Sequence, residues 1–135
     1  MHSRSAEDYL EAIYELICEK GYARASEIAQ RLNVRTPSVT EMVQKLDEDG
    51  LLIYEKYKGI TLTSDGQKIA KSVSKRHNLL FDLLTTLGVD EEIANRDACG
   101  IEHCLNPESV EAITRLLTQL KSPAGKKLLE ELDQV

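Results

Sequence analysis

The sequence predicts a mostly α-helical chain, an N-terminal winged helix-turn-helix with a two-stranded wing followed by an all-helical second half. Three observations predict it. Two short amphipathic stripes flank a tight turn at Asn33-Val34-Arg35. The only two strand-like runs, 51–55 and 60–63, face each other across a hairpin tip, Lys56-Tyr57-Lys58-Gly59. Beyond them the apolar spacing is helical throughout, punctuated by two polar-residue-then-proline starts.

Each element has its own warrant. Ser5 is a candidate N-cap, and Leu10, Ile13, Tyr14 and Ile17 follow at the i, i+3, i+4, i+7 spacing of one buried helix face, up to Gly21. A second helix is expected over 26–32, with Ile28, Ala29 and Leu32 inward. Thr36 is expected to cap a third helix. Pro37 falls in its first turn, where a missing N–H costs nothing. Val39, Met42, Val43 and Leu46 form the stripe, and Gly50 closes it. After the hairpin, a long helix starts at Thr63 or Ser64 and runs through Ile69, Val73, Leu80, Leu84 and Leu87 to Gly88. Asp90 caps a helix expected to reach about Leu105. Asn106-Pro107 opens another to about Leu120, and Ser122-Pro123 a last short one. The expected division is 1–63 for the winged helix and 64–135 for the helical half.

Composition narrows the function. Of 135 residues, 41% are hydrophobic but only 4% aromatic, with no Trp, which favours aliphatic helix packing over an aromatic-lined substrate pocket. No apolar run is long enough to span a membrane, and the first residues lack the apolar stretch of a signal peptide, so a cytoplasmic protein is expected. Three cysteines, Cys18, Cys99 and Cys104, lack the spacing of a disulfide framework. The net charge of -6 is unevenly spread. Residues 21–77 carry ten Lys/Arg against seven Asp/Glu, whereas 78–135 carry five against eleven. A mildly basic middle between acidic flanks suits a salt-sensitive DNA contact.

A winged helix-turn-helix would lay its third helix in the major groove of double-stranded operator DNA. Arg35, Thr36, Pro37, Ser38, Thr40 and Gln44 lie on its first turn and polar face, where short hydroxyls, an amide and a guanidinium meet base edges and phosphates. Glu41 on the same face suits a cytosine amino group better than a phosphate. Lys56 and Lys58 at the wing tip suit phosphates or the minor groove. Winged helices also serve protein contacts, but the basic wing favours DNA.

Asp8, Glu11, His77, Cys99, Glu102 and His103 are candidate metal ligands. Asp8 and Glu11 share a helix face at i, i+3, and Cys99, Glu102 and His103 are expected to share another at i, i+3, i+4. Each also has a bland reading: a capping acid, a solvated carboxylate, a hydrogen-bonded histidine, a buried small thiol, an exposed helix pair. Together they describe a carboxylate-rich set with imidazole and one thiolate. It suits Fe²⁺ or Mn²⁺, with Co²⁺ or Zn²⁺ as substitutes in vitro, and is unlike closed structural zinc. A rival regulator would sense oxidants through Cys99 without metal. A small metallohydrolase is disfavoured because no substrate pocket is evident. The stripe Val110, Ile113, Leu117, Leu120 and the long-helix leucines exceed what one small domain buries, so a homodimer is expected.

These motifs resemble the diphtheria-toxin-repressor family, and most of all its short branch, the manganese transport regulators. The resemblance rests on residues 5–14, on the segment 39–46, on the wing 54–59, on Arg76-His77, and on Gly100-Ile101-Glu102-His103. It implies a winged-helix domain, a helical dimerisation domain, and a homodimer that represses metal-homeostasis genes when loaded with Fe²⁺ or Mn²⁺. Asp8, Glu11, His77, Glu102 and His103 match the manganese branch. Cys99 stands where that branch has glutamate and the iron-responsive branch has cysteine. Phe81 replaces a carboxylate of the iron branch, and the chain ends without that branch's third domain. The implied site is thus a hybrid of the two.

Overall fold

The computed structural model describes residues 2–133. The order is α1 (Arg4–Lys20), α2 (Ala25–Leu32), α3 (Thr36–Glu48), β1 (Leu52–Glu55), β2 (Gly59–Leu62), α4 (Ser64–Thr86), α5 (Glu91–Ile101), a 3₁₀ turn (Glu102–Cys104), α6 (Pro107–Leu120) and α7 (Pro123–Asp133). The chain divides into two compact units, Met1–Ser74 and Lys75–Val135, and the division falls within α4. Among the described residues no helix is long and apolar enough to cross a membrane.

The first unit is a winged helix-turn-helix. Its core gathers Leu10, Ile13 and Leu16 of α1, Ile28 of α2, Val39, Val43 and Leu46 of α3, and Leu52, Ile60 and Leu62 of the wing. The turn between α2 and α3 rests on Asn33, which takes the left-handed conformation at φ 55, and on Val34 N–H donating to Ala29 O at 3.0 Å. Asn tolerates that conformation better than most residues. β1 and β2 pair antiparallel, with Leu52 opposite Leu62 and Glu55 opposite Gly59. Ala23 adds a single-residue bridge to β2, exchanging hydrogen bonds with Ile60 at 3.1 and 2.8 Å. That bridge ties the α1–α2 connection to the wing. Arg31 forks to Glu15 and Glu19 at 3.1 Å each, linking α2 to α1. Lys20 and Glu27 pair across the same two helices, and that hydrogen bond holds the Glu27 carboxyl below its ordinary range.

In the second unit Leu80, Ala94, Ala98, Leu117 and Leu120 are buried. Asp90 caps α5 as expected, Oδ2 accepting from Glu92 N–H at 3.1 Å. Ser122 caps α7 through Gly125 N–H at 3.2 Å. Lys121 of the α6–α7 turn pairs with Asp82 of α4 at 2.5 Å.

Several boundaries differ from the sequence reading. The cap of α1 is Ser3, whose Oγ accepts from Ala6 N–H at 3.1 Å, and Ser5 lies inside the first turn. Helix α2 begins at Ala25 because Arg24 is its cap, with Glu27 Oε1 reaching back to the Arg24 N–H at 3.2 Å. Arg35, not Thr36, precedes α3: its carbonyl accepts from Ser38 and Val39, so Thr36 is already helical. The helix expected to reach Leu105 stops at Ile101 and tightens into the 3₁₀ turn, a common way to satisfy a terminal turn.

Gly66 marks the closest backbone approach in the first unit. A Cβ there would stand 1.9 Å from Leu51 O, so the start of α4 can lie on the strand entrance only without a side chain. Gly66→Ala should therefore cost about 1–3 kcal/mol through overpacking, read as a lower denaturant midpoint at unchanged slope. Gly100→Ala, whose Cβ would meet nothing within 4 Å, should be neutral or stabilising by up to about 1 kcal/mol. Equal effects of the two substitutions would contradict this packing account.

Candidate metal centre and nucleic-acid face

Three of the six candidate ligands converge within the second unit. His77 projects from the second half of α4, Cys99 from the last turn of α5, and Glu102 from the 3₁₀ turn. One ligand atom from each lies within 4.8 Å of the others. His77 Nδ1 is 2.7 Å from Glu102 Oε2 and 3.7 Å from Cys99 Sγ. His103 Nε2 is 3.3 Å from the other oxygen of Glu102. Glu102 is 1% exposed, the His103 side chain 4% and the His77 side chain 18%. Of the three residues expected on one α-helical face, Cys99 lies in the last turn of α5 and converges with Glu102, while Glu102 and His103 lie in the 3₁₀ turn. Glu102 N–H still makes the α-helical bond to Ala98 O, and its carboxylate has an imidazole at each oxygen.

This donor set fits a divalent cation. A carboxylate this deeply buried costs several kcal/mol unless positive charge or hydrogen bonds compensate it. An imidazole and a thiol stand beside one carboxylate oxygen and a second imidazole beside the other, and such groups are donors to borderline metals. The His77 ring also donates outward, Nε2 standing 2.8 Å from Asn95 Oδ1. An amide oxygen only accepts, so that contact puts the ring proton on Nε2. In the neutral ring Nδ1 is then the nitrogen with the lone pair, beside the carboxylate and the thiol, where a cation would find all three donors.

Asp8 and Glu11 belong to the first unit. Both are half-buried on α1, and Ser74 Oγ stands 3.5 Å from Glu11 Oε2. Cys99, Cys104 and Cys18 are all exposed, so the reading of Cys99 as a buried small thiol does not hold.

The candidate DNA face also lies in the first unit. Arg35, Thr36, Pro37, Ser38, Thr40, Glu41 and Gln44 are all exposed. Thr40 Oγ1 donates back to Thr36 O at 3.2 Å, which engages its hydroxyl within the helix. At the wing tip Tyr57 is 92% exposed and takes the left-handed conformation. Lys56 Nζ sits 5.4 Å from its ring centroid, and Lys58 pairs with Glu55 at 3.5 Å. Arg24 lies over the Tyr22 ring at 5.3 Å, a basic and aromatic pair that sequence reasoning did not single out.

Two family models match the chain. Residues 1–60 match the family model described as iron dependent repressor, N-terminal DNA binding domain. Residues 63–130 match iron dependent repressor, metal binding and dimerisation domain. The chain belongs to the diphtheria-toxin-repressor family of iron-dependent repressors. Members of this family are metal-dependent transcriptional regulators, not enzymes. The chain is 52% identical over 131 residues to the HTH-type transcriptional regulator MntR of Lysinibacillus sphaericus, covering 96% of this chain and 94% of that protein. It is 51% identical to MntR of Bacillus subtilis, over 94% of this chain and 89% of that protein. Among solved structures it is similar to the manganese regulator SloR, with a TM-score of 0.73 and 32% identity. That match covers 84% of this chain but only 53% of SloR, so the chain spans about half the length of that regulator.

At the metal centre, sequence reasoning missed Asn95. Its signal was its spacing: Asn95, Cys99 and Glu102 fall at i, i+4, i+7, one turn beyond the candidate ligands.

Proposed function

We propose that this protein is a homodimeric repressor that binds operator DNA when loaded with Fe²⁺ or Mn²⁺ and so controls metal-ion homeostasis genes. The observation that carries the reading is the approach of His77 Nδ1 to Glu102 Oε2 at 2.7 Å beside Cys99 Sγ, in a chain whose first unit is a winged helix. The proposed ligands are His77, Cys99, Glu102 and His103, with Asp8 and Glu11 of α1 as the carboxylates that couple occupancy to the DNA-reading unit. Metal would act by population shift, narrowing the arrangements of the winged helix toward the one that fits an operator. The names of the MntR relatives and of SloR favour manganese. A thiolate in the set is softer than a carboxylate and favours Fe²⁺, Co²⁺ or Zn²⁺ over Mn²⁺. A regulator of this kind works where the chromosome is, in the cytoplasm. The exposed Leu116, Leu128 and Leu132 of α6 and α7 supply apolar surface for the second copy.

Metal gating has a direct readout. Specific operator affinity should rise at least about tenfold, a coupling of about 1.4 kcal/mol, when Mn²⁺ or Fe²⁺ replaces EDTA in a gel shift. The same preparations should sediment at about twice 15.2 kDa. Equal affinity with chelator and with excess metal under reducing conditions would sink the gating. It would instead favour the rival in which Cys99 senses oxidants without metal.

The DNA face divides by role. Arg35→Ala or Gln44→Ala should cost about 1–3 kcal/mol on the specific site through lost base contacts. Lys56→Ala or Lys58→Ala should weaken binding to all sequences alike and flatten the salt dependence. Wing variants that change sequence preference while helix variants do not would reverse the assignment.

A further inference from the structure

We infer that Asn95 is a positioning residue for the metal centre, orienting the His77 ring so that Nδ1 is its donor atom. The inference rests on the metal reading proposed above and concerns one amide that the reading does not need.

Both ring nitrogens of His77 are engaged. Nε2 lies 2.8 Å from Asn95 Oδ1, and Nδ1 lies 2.7 Å from Glu102 Oε2 and 3.7 Å from Cys99 Sγ. A neutral imidazole carries one N–H, and an amide oxygen can only accept it. Asn95 therefore claims the proton at Nε2 and leaves the Nδ1 lone pair facing the carboxylate and the sulfur. An amide turned the other way would present N–H to Nε2, drive the proton to Nδ1, and turn His77 into an ordinary hydrogen-bond donor to Glu102. The amide orientation thus decides between a ligand and a structural histidine.

The placement follows from the fold. Asn95 and Cys99 are one turn apart on α5, so the residue that aims the ring and the thiol beside Nδ1 share a helix face. His77 comes from α4, and its ring is held at two opposite edges. Turning it would break both contacts. Asn95 itself is exposed, so replacing it removes no core packing. Outer partners that fix a histidine ring typically change metal affinity by about 10–100-fold when lost.

Three proteins test the inference: the full-length wild type, Asn95→Ala, which removes the acceptor, and Asn95→Asp, which keeps it. Calorimetric titration with Mn²⁺ should show affinity about tenfold or more weaker in the alanine variant, and at least wild-type affinity in the aspartate variant. With ¹⁵N-histidine and diamagnetic Zn²⁺ bound, His77 should give an exchange-protected Nε2–H signal in wild type. That signal should vanish into solvent exchange in Asn95→Ala and return in Asn95→Asp. Unchanged affinity in Asn95→Ala, or weakened affinity with the Nε2–H signal still protected, would overturn the role of Asn95 while leaving the metal site standing. Wild-type protein that binds neither ion would overturn the metal reading and this inference together.

Discussion

A buried carboxylate is the constraint on which the helical unit turns. Glu102 is 1% exposed, and a charge in that position must be met on both oxygens. His77 Nδ1 stands beside one and His103 Nε2 beside the other, at 2.7 and 3.3 Å. The end of α5 is shaped accordingly. The Glu102 N–H closes the last α-helical bond of α5, to Ala98 O, and the 3₁₀ turn that follows brings His103 to the same carboxylate. The burial penalty becomes useful when a cation is the compensating partner, because the site is then most stable when filled. The buried apolar residues of α5 are both alanines, Ala94 and Ala98. Small side chains at these α5 positions suit a helix packed closely enough for its polar stripe to converge.

The winged helix was legible because its signals are local and independent. The hydrophobic period changes from helical to strand-like at residue 51 and back at 64, and Asn33, Pro37 and Gly50 punctuate the turns. The Ala23–Ile60 bridge was not legible, since one paired residue leaves no periodic trace. The caps moved by one or two residues where neighbours competed. Ser3 and Ser5 are equally good candidates by type, and only backbone conformation chooses between them. In the helical unit the convergence of His77, Cys99 and Glu102 was foreseeable from residue type. The 3₁₀ turn was not, because Glu-His-Cys continues the α pattern without a breaker before Asn106-Pro107. Asn95 escaped notice for a chemical reason: an amide is a poor ligand, and its work is done through a histidine 18 positions away in sequence.

The two halves divide the labour by charge and chemistry. The first presents short polar groups on α3 and lysines on the wing, which suit a nucleic-acid partner. The second carries the acidic excess and a mixed N, O, S donor set. Sulfur distinguishes this set from an all-carboxylate one. A thiolate offers a single donor atom and greater softness, whereas a carboxylate in its place could bridge two ions.

Cobalt spectroscopy tests the centre most directly. Anaerobic, reduced wild-type protein titrated with Co²⁺ should develop a thiolate-to-metal charge-transfer band that saturates with binding. Cys99→Ser should abolish that band while Cys104→Ser leaves it intact. Saturable Co²⁺ binding without the band, or a band that survives loss of Cys99, would contradict a centre built on His77, Cys99 and Glu102.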